Sequence, residues 1–391
     1  MITFEQAIQI IESSVIPLTA ERISLMYSLN RVLAREVVSD VDMPPFDKAA
    51  MDGYACRIAD LSNELQIIED VPAGKVPLRS IGANQCARIM TGAIVPVGAN
   101  FILMKEHAEL ADNGTVRRKQ AVAGENICYR GEDIKAGDVI LKPGVKILPA
   151  HIAMLAAIGC MHPMVFKMPG VSVISTGNEL VEPEQKPETG KIRNSNGYQL
   201  VAQALQFGLT PDYLGIVTDD KPALYKMLAE AIERYQVVLI SGGVSVGDYD
   251  YVPEILKQMK VELLFHGIRV KPGKHLLFGK RDNCYILGMP GNPVSSFVQF
   301  EVLGKLLLNR LMGYNAQPGK LYLPIEESYV RKKQDTMFFI PVTLTGRGTV
   351  LPVEYHGSAH IHAYTMAQGI MEVPVGVYAI KKGEMVHVRP L

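Results

Sequence analysis

At 391 residues the chain is too long for one ordinary hydrophobic core, so two to four domains are expected. Its 40 basic and 40 acidic residues cancel, which argues against a general nucleic-acid binder but leaves room for a local anion site. Cys56, Cys86, Cys128, Cys160 and Cys284 stand far apart with no C-x-x-C pair, which argues against a thiolate zinc site and suits a reducing cytosol. Met1-Ile2-Thr3-Phe4-Glu5 has neither the basic nor the apolar region of a secretory signal, and no apolar run reaches the roughly 18 residues of a spanning helix. A cytoplasmic protein without membrane association is expected.

In chain order, Thr3 and Gln6 read as a capping box for a helix with Phe4, Ala7, Ile8 and Ile11 on one face, ended by Pro17. A second helical stretch is expected over residues 25–33. The run Asp42-Met43-Pro44-Pro45-Phe46-Asp47 is forced into an extended passage by its prolines, and its acidic residues sit on a loop that reads equally as a rigid connector. Residues 54–141 carry short β-type runs separated by Gly, Pro and Asn turns. Pro149 opens an apolar helix that Gly159 stops, expected to pack against the first helices. From Pro169 onward, strands and helices alternate at the spacing of βαβ units, predicting a mostly parallel sheet. Within it a helix is expected over 198–207, capped by Asn196, and another after Asp219-Asp220. The last stretch returns to short β runs, predicting a small barrel or sandwich. The fold class is thus multidomain α/β. A helical unit (1–41 plus 142–168) carries an inserted β-rich domain (42–141), followed by an α/β domain (169–317) and a C-terminal β-barrel (318–391).

Three loops of the α/β region hold the chemistry: Ser241-Gly242-Gly243-Val244-Ser245-Val246-Gly247-Asp248-Tyr249-Asp250, Lys271-Pro272-Gly273-Lys274 and Gly288-Met289-Pro290-Gly291-Asn292-Pro293. In an open α/β sheet, loops after strand ends line the crevice where ligands bind. Glycines let backbone N–H groups approach an anion, lysines neutralise it, and carboxylates such as Asp219, Asp220, Asp248 and Asp250 can hold a divalent cation. Asp219 and Asp220 read more readily as helix caps, whereas Asp250 reads as a metal ligand. The residues therefore point to a phosphorylated, metal-assisted substrate. A rival reading takes Gly243-Val244-Ser245-Val246-Gly247 as the nucleophile elbow of a serine hydrolase. Asp248 and Asp250 weigh against it, because negative charge beside a developing oxyanion slows acyl transfer. His360 and His362, expected on one strand face, lack a third metal ligand.

Met51-Asp52-Gly53-Tyr54-Ala55, Met90-Thr91-Gly92-Ala93, Arg130-Gly131-Glu132-Asp133, Ser175-Thr176-Gly177-Asn178-Glu179-Leu180 and the three loops above occur in an order that resembles the molybdopterin molybdenumtransferases. These comprise bacterial MoeA and the E-domains of the plant protein and of gephyrin. The resemblance implies that the α/β domain is a MogA-like molybdopterin-binding domain. It implies an elongated homodimer with active sites between subunits. It also implies the reaction: adenylyl-molybdopterin and molybdate give molybdenum cofactor and AMP, with Mg²⁺. Transient contact with the adenylyltransferase is a further expectation, and no nucleic-acid partner is expected.

Carried onto this sequence, Asp52 and Asp133, with Thr91, reach a partner's cleft from the β-rich domain. Glu179, Asp219 or Asp220, and Asp250 line the α/β cleft, with Asp250 and Glu179 handling metal and phosphate. Lys271 and Lys274, around Pro272, hold the oxyanion or phosphate. Thr176, Gly177, Ser241, Gly242, Gly243, Ser245, Gly291, Asn292 and Pro293 contact substrate, and Ser358, after Gly357, lies near molybdate. Three departures stand out. Asn178 and Asn100 each replace a usual Asp. Met337-Phe338-Phe339-Ile340-Pro341 lies where many members have Phe-x-Arg, so a molybdate-contacting arginine is either absent or supplied by Arg331 or Arg347. The non-enzymatic alternative is a molybdopterin-binding scaffold.

Overall fold

The computed structural model describes residues 1–245, 247, 250–315 and 319–391. Thr3 and Gln6 make both bonds of the capping box that opens helix α1, Phe4–Ser14. Its apolar stripe needs a large partner and finds it in a core shared by the α/β region and the last sheet, whose Phe339 meets Phe4 edge-on at 5.2 Å between ring centroids. The expected packing of the Pro149 helix on the first helices is thereby corrected for α1, while its packing on the 25–33 stretch holds. Ile2 forms a parallel bridge with Ile268, which pins the start of α1 to the α/β region. Helix α2, Pro149–Ala157, lies instead with Leu25, Leu33 and Ile147. The helix expected over residues 25–33 is also corrected. Only one 3-10 turn forms, Leu25–Tyr27, because Asn30 takes φ 64° and Val32 and Leu33 enter β-bridges.

The β-rich segment builds a six-stranded sheet in the order Phe101–Met104, Gly53–Cys56, Gln85–Ile89, Leu65–Val71, Thr115–Arg118, Ala108–Leu110. The chain enters and leaves this segment along paired strands: Val37–Val38 pairs with Val139–Leu141, and Ala20–Arg22 with Met164–Phe166.

The α/β sheet runs Asp212–Val217, Val171–Thr176, Val237–Ser241, Cys284–Met289, Leu277–Arg281, Glu262–His266. Its first four strands are parallel and the last two pair antiparallel. Alternation along the strands sends Val237 and Leu239 to one face and Val238 and Ile240 to the other, so both faces need cover. Helices α3 (Asn196–Gln206), α6 (Pro293–Gln299) and α7 (Lys305–Leu311) join α1 on the first face. Helices α4 (Lys221–Arg234) and α5 (Val252–Gln258) cover the second.

The last region forms a sheet of Met337–Leu344, Gly369–Val373, Met385–Pro390 and Leu321–Pro324, with Val350–Pro352 alongside the first. Its other edge is completed by Val270–Lys271 of the α/β region, which pairs in parallel with Met337 and Phe338. That shared strand seats the last sheet over the lysine turn. No helix among the described residues is long and apolar enough to cross a membrane.

Candidate active site

Parallel strands end on one edge of the sheet, and the predicted loops gather there. Gly242 takes φ +95°, and a Cβ there would collide with the Thr176 carbonyl, so the loop after Val237–Ser241 lies directly on the loop after Val171–Thr176. Thr176 Oγ1 donates to Asp219 Oδ1 at 2.8 Å, and Asn178 N donates to Asp219 Oδ2 at 3.0 Å. Asp219 N returns a bond to Asn178 Oδ1 at 3.1 Å. Asp219 is thus occupied in locking two loops. The asparagine at 178 suits that lock, because a carboxylate there would face Asp219 as a like charge. Asp220 caps α4 through Ala223 N at 3.0 Å. Glu179 folds its carboxylate back over Gly177. Asp250 Oδ2 accepts from Gly247 N at 2.8 Å. Ser245 is half-buried, whereas Val246, Asp248 and Tyr249 lie outside the described residues.

Asn196 was expected to cap α3. It is instead the first residue inside the helix, with Ser195 at the cap position, and its amide reaches across the site. Nδ2 donates to Ser241 Oγ at 2.8 Å and to Gly291 O at 2.7 Å, tying together the two loops that flank the helix. Periodicity gives no signal for this role.

Beside these loops lies a cavity of about 770 Å³ between the α/β region and the last sheet. Arg269, Lys271, Lys274 and Lys333 line it, against one carboxylate among the described residues, that of Asp335. None of these four cations is ion-paired among the described residues. Lys271 Nζ sits 5.3 Å from the Phe338 ring centroid, which steadies the ammonium without neutralising it. Pro272, Gly273, Asn292 and Ser358 also line the cavity, and Asn292 Nδ2 donates to Ser358 Oγ at 3.0 Å. Val294 N donates to Ser358 O at 3.1 Å, so the start of α6 holds the Gly357-Ser358 turn in place. His275 joins the lining. Burial, then Lys274 and His266, push its pKa below the ordinary imidazole value, with Asp250 pulling the other way. Arg269, His275 and Lys333 were not singled out from sequence. They come from two regions that the shared strand brings together.

Asp52, Thr91 and Asp133 lie elsewhere. Asp52 Oδ1 accepts from Thr91 N at 2.7 Å and from Thr91 Oγ1 at 2.6 Å, and these bonds hold its carboxyl below the usual range. Both residues are exposed, and Asp52 shares a small groove with Arg88 and Lys105. Asp133 is exposed on the adjoining loop, its N–H bound to Met43 O.

Neither arginine expected to reach molybdate lies in the cavity lining. Arg331 is buried, and its three nitrogens donate to Val377 O, Thr336 O and Pro374 O at 2.6, 2.7 and 2.6 Å. Arg347 is exposed beside Glu326. His360 and His362 are not on a strand. Residues Ile361–Thr365 form a 3-10 turn, and His360 stacks edge-on with His356. In the Ser245 motif, the nearby imidazole of His266 binds Val244 O at 2.7 Å. That spends on backbone a nitrogen the hydrolase reading would need. No group of three His, Cys, Asp or Glu among the described residues could hold a metal ion by itself. Mg²⁺ commonly takes one or two carboxylates and completes its shell with waters and substrate phosphates, so Asp250 and Glu179 fit it only in that shared manner.

The sheet covered on both faces, its glycine loops and the cationic cavity together make a site at the strand ends whose charge suits an anion. Residues 2–159 match the MoeA N-terminal region (domain I and II), 172–310 a probable molybdopterin binding domain, and 326–391 the MoeA C-terminal region (domain IV). A molybdopterin molybdenumtransferase of Staphylococcus aureus is 36% identical over 99% of this chain and 95% of its own length. One from Staphylococcus epidermidis is 34% identical with the same coverage. The crystal structure of a molybdopterin biosynthesis moeA protein from Pyrococcus horikoshii superposes with a TM-score of 0.87, at 28% identity and complete coverage of both chains. The chain belongs to the MoeA family of molybdopterin molybdenumtransferases, enzymes of molybdenum cofactor biosynthesis.

Proposed function

We propose that the chain converts adenylyl-molybdopterin and molybdate to molybdenum cofactor and AMP, as a cytoplasmic homodimer. The observation that carries this reading is the cationic cavity beside the glycine loops, whose four cations have no ion pair among the described residues. Molybdate is a tetrahedral dianion and calls for ammonium groups and N–H or O–H donors rather than thiolates. Lys271, Lys274 and Lys333 supply the charge, and Ser358, oriented by Asn292, supplies a hydroxyl. The pyrophosphate link of the substrate fits the Ser241-Gly242-Gly243 loop, where backbone N–H groups can approach phosphate oxygens. Mg²⁺, held by Asp250 and Glu179 together with those oxygens, would neutralise charge on the departing AMP. Asp219 and Asn178 keep the two loops at fixed spacing while this happens.

Asp52, Thr91 and Asp133 stand on a separate region, and a second subunit would bring them to the cleft. Transient docking of the adenylyltransferase would spare the labile substrate from release into water. The test supplies adenylyl-molybdopterin, molybdate and Mg²⁺ to purified protein. It follows AMP release and the activation of an apo-molybdoenzyme. Molybdate-dependent formation of both products is the expected result. AMP release without active cofactor would overturn the assignment of the cavity to molybdate. The scaffold reading predicts neither product.

A further inference from the structure

The lysine turn is held from beneath by one glutamine. Gln299 ends helix α6 and is fully buried. Its Nε2 donates to Pro272 O at 2.9 Å. A Cβ on Gly273, whose φ is +97°, would come within 2.6 Å of the Gln299 side chain, so the turn lies flat on the amide. Gln299 Oε1 is buried without a partner. An orphaned buried acceptor costs folding free energy, so the amide is kept for what its other end does.

The peptide plane says what that is. The Pro272–Gly273 bond is trans, so the Pro272 carbonyl and the Gly273 N–H point in opposite directions. Gln299 draws the carbonyl inward, toward α6. The Gly273 N–H is thereby turned away from α6, to the side where Lys271 and Lys274 line the cavity, and it has no hydrogen-bond partner among the described residues. Left untied, this peptide can rotate and present a carbonyl oxygen to the anion instead of a donor. Ser295 lies one helical turn before Gln299 and also lines the cavity, while Asn292 at the head of the helix holds Ser358. One short helix therefore sets both the hydroxyl and the backbone donor of the site.

We infer that the Gly273 N–H is a direct donor to the tetrahedral oxyanion, and that Gln299 is the positioning residue that aims it. The inference rests on the oxyanion reading of the cavity given above.

The test uses full-length protein labelled with ¹⁵N-glycine and titrated with sodium molybdate, alongside calorimetric binding. In the wild type the Gly273 amide resonance shifts strongly with occupancy. Gln299→Met keeps the volume, removes the orphaned oxygen and frees Pro272 O, so its melting temperature stays close to wild type. Its molybdate affinity falls about tenfold and the Gly273 shift is lost, the size expected for one charge-assisted hydrogen bond. KM for adenylyl-molybdopterin stays within about twofold, a split that a general packing defect would not give. Gln299→Glu can donate to Pro272 O only when protonated, so its affinity relative to wild type recovers as pH falls, whereas that of Gln299→Met does not. Unchanged molybdate affinity in folded Gln299→Met, or a Gly273 amide indifferent to molybdate in the wild type, overturns the inference. If the wild type shows the shift but makes no cofactor, the transferase reading fails and the oxyanion seat stands.

Discussion

Replacing Asn196 with alanine tests whether loop order precedes substrate binding. The side chain makes two bonds, at 2.8 Å to Ser241 Oγ and 2.7 Å to Gly291 O, in a buried setting. At about 1 kcal/mol net per bond, the change removes about 2 kcal/mol of order between the two loops and leaves the Gly291 carbonyl without this donor. If the loops must hold their spacing before the pyrophosphate can bind, the loss appears as a rise of roughly thirtyfold in KM for adenylyl-molybdopterin. The assay is AMP release at saturating molybdate, with thermal unfolding measured in parallel. Asn196→Asp serves as the sharper probe. It keeps the size but sets a carboxylate against the Gly291 carbonyl, so its KM rises at least as far. If both variants fold and keep KM within twofold of wild type, the loops are held by other means and the reasoning is wrong.

Asp250→Asn keeps the oxygen that accepts from Gly247 N but loses the charge, so the melting temperature holds while AMP release disappears; normal turnover would remove Asp250 from the mechanism. Arg331→Leu strips three backbone carbonyls of their donor and lowers unfolding free energy by about 3–5 kcal/mol in urea melts, with molybdate KM within threefold of wild type. A selective loss of molybdate binding in that variant would place Arg331 at the anion after all. His275, its pKa lowered chiefly by burial, is neutral in the folded chain where an unfolded imidazole begins to charge, near 6.5. The unfolded state then binds more protons, so this contribution to stability is complete above that pH and declines as pH falls below it. A bound oxyanion favours the imidazolium, so molybdate affinity rises over the same descent. His275→Asn removes both slopes, as pH-dependent melts and calorimetry would show.

Local signals carried much of the fold. The Thr3 and Gln6 pair makes its predicted bonds, Pro149 opens its helix, and the βαβ spacing gives the parallel strands. Reading failed where a distant contact outbid local preference. Residues 25–33 look helical, yet Asn30 turns left-handed and Val32 and Leu33 are claimed by bridges to Lys146 and Val165. Asn196 has the composition of a cap but finds better partners 45 and 95 residues away. The glycine loops and both lysines were legible because glycine and lysine announce anion chemistry locally. Arg269, Lys333 and Gln299 were not, because their positions follow from a strand pairing across regions and from the far end of a helix. Arg331 misled for the complementary reason: sequence shows its charge but not the three carbonyls that consume it.

The two residues that complete the edge of the last sheet make Lys271 common to two structural units, since it pairs with Phe338 while its ammonium faces the cavity. Turning that sheet about its edge drags the ammonium with it, so the sheet acts as a lever on the anion, and the anion as a brake on the lever. Free energies of this kind are reciprocal. A protein that grasps residues 319–391 and alters oxyanion affinity by some factor must itself be gripped more or less tightly, by that same factor, once the oxyanion is in place. Excised from the rest of the chain, the same sheet would bare Met337 and Phe338 as an open edge, ready to pair with whatever strand comes next.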